Sequence, residues 1–119
     1  MLSARYRMTR SAEFSATVKQ GIRVTQPDLV IHARHEAGIA DGPRVGFIVS
    51  KAVGNAVDRH RVARRLRHAA RTAITDLDPA DMLVIRALPS SRYAMSARLE
   101  QEITAAVRRA LSVMGGGDR

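Results

Sequence analysis

The stretch KAVGNAVDRHRVARRLRHAAR, residues 51–71, decides how this chain is read. It sets Lys51, Arg59, Arg61, Arg64, Arg65, Arg67 and Arg71 against one acid, Asp58, so +6 of the formal net charge of +9 lies here. The same stretch has a helical period. Val62, Leu66, Ala69, Ala70, Ala73 and Leu77 recur at three- and four-residue spacing and form one stripe. His60, Arg61, Arg64, Arg67, His68 and Arg71 lie opposite it on a helical wheel, with Arg65 at the flank. The pattern predicts a helix running to about Thr75, with one face to pack and the other to meet an anion. Like charge at this density repels itself, and a polyanion relieves that cost. A merely solvated helix face usually mixes both signs.

Upstream, Arg44–Ser50 alternates in the manner of a strand, with Val45, Phe47 and Val49 on one side, and Gly54 and Asn55 break it before the helix. Downstream, Asp78 and Pro79 end the helix. Met82–Ala87 is then a continuous apolar run, as suits a strand buried on both faces. Strand, helix and strand in that order imply a parallel pair joined by a β-α-β crossover. Ser11–Gln20 reads as a short helix stopped by Gly21, with Phe14 and Val18 on one face. Leu29–Arg34 alternates, placing Leu29, Ile31 and Ala33 opposite Val30, His32 and Arg34. Residues 35–43 form a loop. A last helix capped by Ser96 carries the stripe Leu99, Ile103, Ala106, Val107, Ala110, Leu111 and Met114. The fold class that follows is α+β: a single-domain layered sandwich over residues 1–114, with a mixed β-sheet and three helices. A disordered Gly-rich tail, 115–119, completes the chain.

With 45% apolar residues the chain can bury a core, and with two Phe, two Tyr and no Trp that core is aliphatic. Eighteen of the twenty basic residues are Arg, whose planar fork grips phosphate bidentately. The absence of cysteine excludes a disulfide frame and thiolate metal sites, and fits a reducing cytoplasm. No run approaches the ~20 apolar residues of a membrane span. The acids are scattered, and Asp76, Asp78 and Asp81 sit at a turn where Asp is ordinary. His32 and His35 fall on opposite faces of a strand, so no metal site is read there. Gly46 and Gly54 are lone glycines suited to close approach or a turn rather than a phosphate loop. No catalytic residues are assigned.

The linear motif resembles the bacterial ribonuclease P protein subunit. That family carries a strand ending in R-V-G-x-x-V-S-K, then V-G-N-A-V, then R-N-R opening a basic helix. This chain has Arg44-Val45-Gly46-Phe47-Ile48-Val49-Ser50-Lys51, Val53-Gly54-Asn55-Ala56-Val57, and Arg59-His60-Arg61 followed by Arg64, Arg65 and Arg67. Glu13-Phe14 with Val18 and Gly21, and Asp81–Arg86, are similar to the family's first helix and late strand. His60 stands in place of the usual Asn, where it can still donate to phosphate or a ribose hydroxyl. Ala52 and Ala63 stand where Lys is frequent, and Val18 and His32 where aromatic rings are.

The resemblance implies a fold like the second domain of ribosomal protein S5, with a left-handed crossover. It implies an accessory subunit of an endoribonuclease whose RNA subunit, with Mg2+ bound mainly through that RNA, removes the 5′ leader of precursor tRNA in the cytoplasm. The partners so implied are the RNA subunit and precursor tRNA, with no membrane and no DNA. Lys51, Asn55, Arg59, His60, Arg61, Arg64, Arg65, Arg67 and Arg71 are expected to touch the RNA subunit. Arg7, Phe14, Val18, Val30, His32 and Ile48 are expected to form a cleft for the leader. The alternative is a ribosomal-type or other structural RNA-binding protein using the same basic face. A histidine nuclease acting alone is a third reading, which cleavage by the isolated protein would reveal.

Overall fold

A computed structural model describes residues 3–38 and 42–115. The regular elements are α1 (Ser11–Gln20), β1 (Ile22–Thr25), β2 (Leu29–His35), β3 (Arg44–Ile48), α2 (Ala56–Ala70), β4 (Asp81–Ala87) and α3 (Ser96–Gly115). Short 3-10 turns occupy Ala4–Tyr6, Ala73–Asp76 and Pro89–Tyr93. The strands lie in the order β1-β2-β4-β3; β1 and β4 pair antiparallel with β2, and β3 pairs parallel with β4. The strands flanking α2 are thus parallel neighbours, as the β-α-β pattern requires. The tail expected over 115–119 lies, after Gly115, outside the described residues.

Three local outcomes differ from the sequence pattern. β1 was not anticipated: Ile22 and Val24 alternate with Arg23 and Thr25, but two apolar positions are too few to signal a strand, and only Val24 is buried. α2 ends at Ala70 rather than near Thr75. Arg71 N–H donates to the His68 carbonyl, three residues back, while Thr72 Oγ1 reaches Ala69 O (3.4 Å) and Thr75 Oγ1 reaches Thr72 O (2.8 Å). Such hydroxyl–backbone bonds compete with the helical ladder and tighten the chain into a 3-10 turn that still buries Ala73. At α3 the carbonyl of Met95, rather than of Ser96, accepts the first-turn bond, from Leu99 N–H (3.1 Å).

The sheet has helices on both faces. Leu29, Ile31, Ala33, Val45, Leu83 and Ile85 pack with Val62, Leu66, Ala69 and Ala70 of α2 and with Leu99, Ile103, Ala106, Val107 and Ala110 of α3. Fully burying each larger aliphatic stabilises the fold by about 1.5–3 kcal/mol. On the reverse face Met8, Met82 and Val84 pack with Phe14, Val18 and Ile48. α3 is fastened to the β1–β2 turn by a buried carboxyl pair. Asp28 N–H donates to Glu102 Oε1 (2.9 Å), Ser90 Oγ donates to Asp28 Oδ1 (2.7 Å), and Arg98 Nε lies 2.7 Å from Asp28 Oδ2. The hydrogen bond with Glu102 holds the Asp28 carboxyl below its ordinary range, whereas burial pushes Glu102 above its own. Asp28 therefore stays charged more readily, and Glu102 keeps a proton more readily.

Candidate nucleic-acid interface

The basic helix begins at a reciprocal cap. Asn55 Oδ1 accepts from Asp58 N–H (2.8 Å), and Asp58 Oδ2 accepts from Asn55 N–H (3.2 Å). Gly54 leaves room for this arrangement, since a Cβ there would lie 2.5 Å from Asp58 Oδ2. The one acid of the basic run is thus committed to the helix N-terminus, where its charge also suits the helix dipole. Its approach to Arg61 is long, at 3.9 Å.

Beyond the cap, Val62, Leu66, Ala69 and Ala70 are buried. Lys51, Asn55, His60, Arg61, Arg64, His68 and Arg71 are exposed, and Arg59, Arg65 and Arg67 are half-buried. The fold therefore gathers all nine residues expected to meet RNA onto α2 and its approach. Their cationic face extends about 22 Å along the helix. Of these, Asn55 is held in the cap and Arg65 donates through Nη1 to the Ala94 carbonyl (3.2 Å).

A second feature lies on the opposite side of the sheet, where α1 crosses β2 and β4. The Phe14 ring rests directly on Gly46 of β3: a Cβ on that residue would stand 2.6 Å from Phe14 Cζ and 3.2 Å from Met8 Cβ. Beside the ring runs a groove of about 580 Å3 lined by Thr9, Ser11, Phe14, Ser15, Val18, Lys19 and Ile48. Phe14, Val18 and Ile48 share this groove, each half-buried, so they serve both as packing against Met8, Met82 and Val84 and as groove wall. Sequence reasoning missed the polar rim, although Ser11, Ser15 and Lys19 follow one another at the four-residue spacing of a helix face.

Val30 and His32 require correction as cleft residues. They are 2% and 5% exposed and do not line the groove. β2 is an interior strand, paired on both edges and crossed by α1, so its side chains on that face are covered. Arg7 also lies outside the groove lining; it bridges to Val45 in a parallel pairing, and Met8 N–H donates to Val45 O (2.8 Å) along the edge of β3. Burial, then the charges of Arg23 and Arg86, push the His32 imidazole below its ordinary pKa. Neither of its ring nitrogens has a hydrogen-bond partner among the described residues.

The β2–β4 register places His35 opposite Asp81. His35 Nδ1 and Asp81 Oδ1 are 2.8 Å apart, and Asp78 N–H donates to Asp81 Oδ2 (2.8 Å). Ligand atoms of His35, Asp78 and Asp81 lie within 4.8 Å of one another, a set able to hold a cation. His35 thus joins two aspartates distant in sequence rather than His32. Asp81 is buried and acts here as a clasp between the strand end and the preceding turn.

The profile of the Ribonuclease P family matches residues 2–111. The chain is 62% identical over 112 residues to the ribonuclease P protein component of Mycobacterium avium (strain 104), a match covering 92% of this chain and 94% of that protein. It is 56% identical over 121 residues to the corresponding protein of Mycobacterium ulcerans (strain Agy99), with both chains fully covered. The fold is similar to that of the Staphylococcus aureus RNase P protein, with a TM-score of 0.75 at 22% identity over 88% of this chain and 94% of that one. It is also similar to that of the Thermotoga maritima RNase P protein, with a TM-score of 0.73 at 16% identity over 88% of this chain and 97% of that one. Among the described residues, no helix is long and apolar enough to cross a membrane.

Proposed function

Since this chain belongs to the ribonuclease P protein family, the protein component of the enzyme that matures tRNA 5′ ends, we propose that α2 binds the enzyme's RNA subunit and that the groove beside α1 receives the 5′ leader of precursor tRNA. The observation that carries the reading is the outer face of α2, where exposed cations face solvent and the one carboxylate is engaged in the cap. Arg64 and Arg67 are the central phosphate ligands, with Lys51, Arg59, Arg61 and Arg71 extending the track. Asn55 keeps its amide N–H groups for a ribose or phosphate oxygen while its carbonyl caps the helix. Contacts of this kind fix position and register without reading sequence.

The groove suits a single strand. Phe14 offers a ring face, Val18 and Ile48 an apolar wall, and Lys19 a charge for the backbone. Stacking on a ring tolerates any base, as leaders of many sequences demand.

The hydrolytic step belongs to the RNA. Mg2+ is a hard cation that takes carboxylate, phosphate and water oxygens, and α2 offers it only the engaged Asp58. On this reading the metal sits with RNA phosphates, and the protein contributes charge and position in the cytoplasm. Reconstitution tests it. A bacterial ribonuclease P RNA transcript with this protein should cleave labelled precursor tRNA faster, at low Mg2+, than the transcript alone. Cleavage by the isolated protein, or no effect of the protein on the transcript, would overturn the reading.

A further inference from the structure

The turn between β4 and α3 displays side chains that neither the core nor the groove uses. Ser91 N–H and Oγ both donate to the Leu88 carbonyl (2.9 and 2.6 Å), and Ala94 N–H donates to the Ser91 carbonyl (3.0 Å). Ser91 and Ala94 are buried by this anchoring, while Arg92, Tyr93 and Met95 stand outward. Tyr93 is 77% exposed and Met95 66%. The Arg92 guanidinium lies over the Tyr93 ring, 4.9 Å from its centre. In a chain with four aromatic residues, one so exposed does little for stability.

The same turn is tied to the basic helix, because the Ala94 carbonyl accepts from Arg65. Next to that bond is a hollow of about 420 Å3 lined by Arg61, Arg64, Arg65, His68 and Ser96. No carboxylate lines it. The basic hollow and the exposed ring are therefore both carried by one short stretch of backbone, residues 93–96, in which Tyr93 is exposed, Ala94 O accepts from Arg65 and Ser96 lines the hollow.

We propose that the hollow and Tyr93 form a seat for one unpaired nucleotide of RNA, with its phosphate among Arg61, Arg64 and Arg65 and its base stacked on Tyr93. The seat rests on the reading of α2 as an RNA-binding helix and adds to it a preference for unstacked bases. Arg92 covers one face of the ring, and the high exposure of Tyr93 leaves ring surface open for a base. A base inside a duplex already has both faces covered, so a bulged or single-stranded nucleotide is the ligand.

The chain has no Trp, so Tyr93→Trp installs a lone fluorescent reporter at the seat. Two RNA hairpins serve as probes, one fully paired and the other carrying a single bulged nucleotide. The bulged hairpin should quench the reporter strongly and the paired one weakly. Tyr93→Ala should bind the bulged hairpin roughly 5- to 150-fold more weakly, the span of base–aromatic stacking. The salt dependence should be unchanged, because the ring carries no charge. Tyr93→Phe should retain binding. Equal quenching by both hairpins, or equal affinity of wild type and Tyr93→Ala for the bulged one, would overturn the seat. An emission maximum that shifts with protein concentration in the absence of RNA would assign the patch to a second copy of the chain, and so overturn it too. The α2 reading fails separately, if Arg64→Ala with Arg67→Ala leaves the salt dependence of the paired hairpin unaltered.

Discussion

Gly46→Ala is the smallest change that probes how α1 sits on the sheet. The new Cβ would meet Phe14 Cζ at 2.6 Å and Met8 Cβ at 3.2 Å, where carbon atoms prefer ~3.5–4.0 Å. The ring must therefore retreat by about 1 Å. Met8 is buried against Met82 and Val84 and cannot yield, so the ring moves towards the groove. Overpacking costs ~1–3 kcal/mol, and the half-exposed ring places this case at about 1–2 kcal/mol. In a chain of this size that lowers the melting temperature by about 3–12 °C, readable by circular dichroism. Removing the ring should remove the clash. In a Phe14→Ala background the glycine change should cost nothing, since Ala suits a strand interior better than Gly by ~0.5–1 kcal/mol. The double-mutant cycle should then show a coupling of about 1 kcal/mol or more. An unchanged melting temperature for Gly46→Ala, or strictly additive effects, would refute the ring-on-glycine contact.

Phe14→Ala alone should weaken precursor tRNA binding by about tenfold, within the ~1–3 kcal/mol of a stacked base, and leave mature tRNA unaffected; equal loss for both RNAs would count against the groove. Replacing Arg64 and Arg67 together by Ala should flatten the log–log salt dependence of RNA-subunit binding by about 0.7–0.9 per lost phosphate contact, with the melting temperature preserved. His32→Phe should be neutral or stabilising by about 1 kcal/mol at pH 7.5, because it deletes two unpartnered buried nitrogens. Its pH arm follows from the lowered imidazole pKa: the unfolded chain takes up the proton first, so wild type loses stability as pH falls below about 6.5. The His32→Phe variant should lack that part of the loss, and parallel melting curves from pH 7.5 to 5.5 would contradict it. Gly54→Ala should displace the Asp58 carboxylate from Asn55 N–H and cost about 1–2 kcal/mol by urea denaturation.

The sequence by itself determined what depends on residues a few places apart. The amphipathic period of α2, the alternation of β2 and β3, the apolar run of β4 and the linear motif from Arg44 to Arg67 all lie within such spans, because backbone geometry repeats over two or 3.6 residues. They gave the α+β class, the parallel pair around α2 and the cationic face. Only the tertiary structure decided which surface covers which. Val30 and His32 occupy the strand face anticipated for them, yet that face is covered where α1 crosses an interior strand, and the groove forms beside it instead. His35 finds Asp81 at a separation of 46 residues, and Arg65 finds Ala94 at 29. Gly46 reads as a lone glycine until Phe14 lies on it. The physical reason is that the hydrophobic effect is non-directional. Periodicity marks a face as apolar, but the partner that buries it is chosen by competition among all the elements at once, and the polar contacts follow from where that competition leaves the chain.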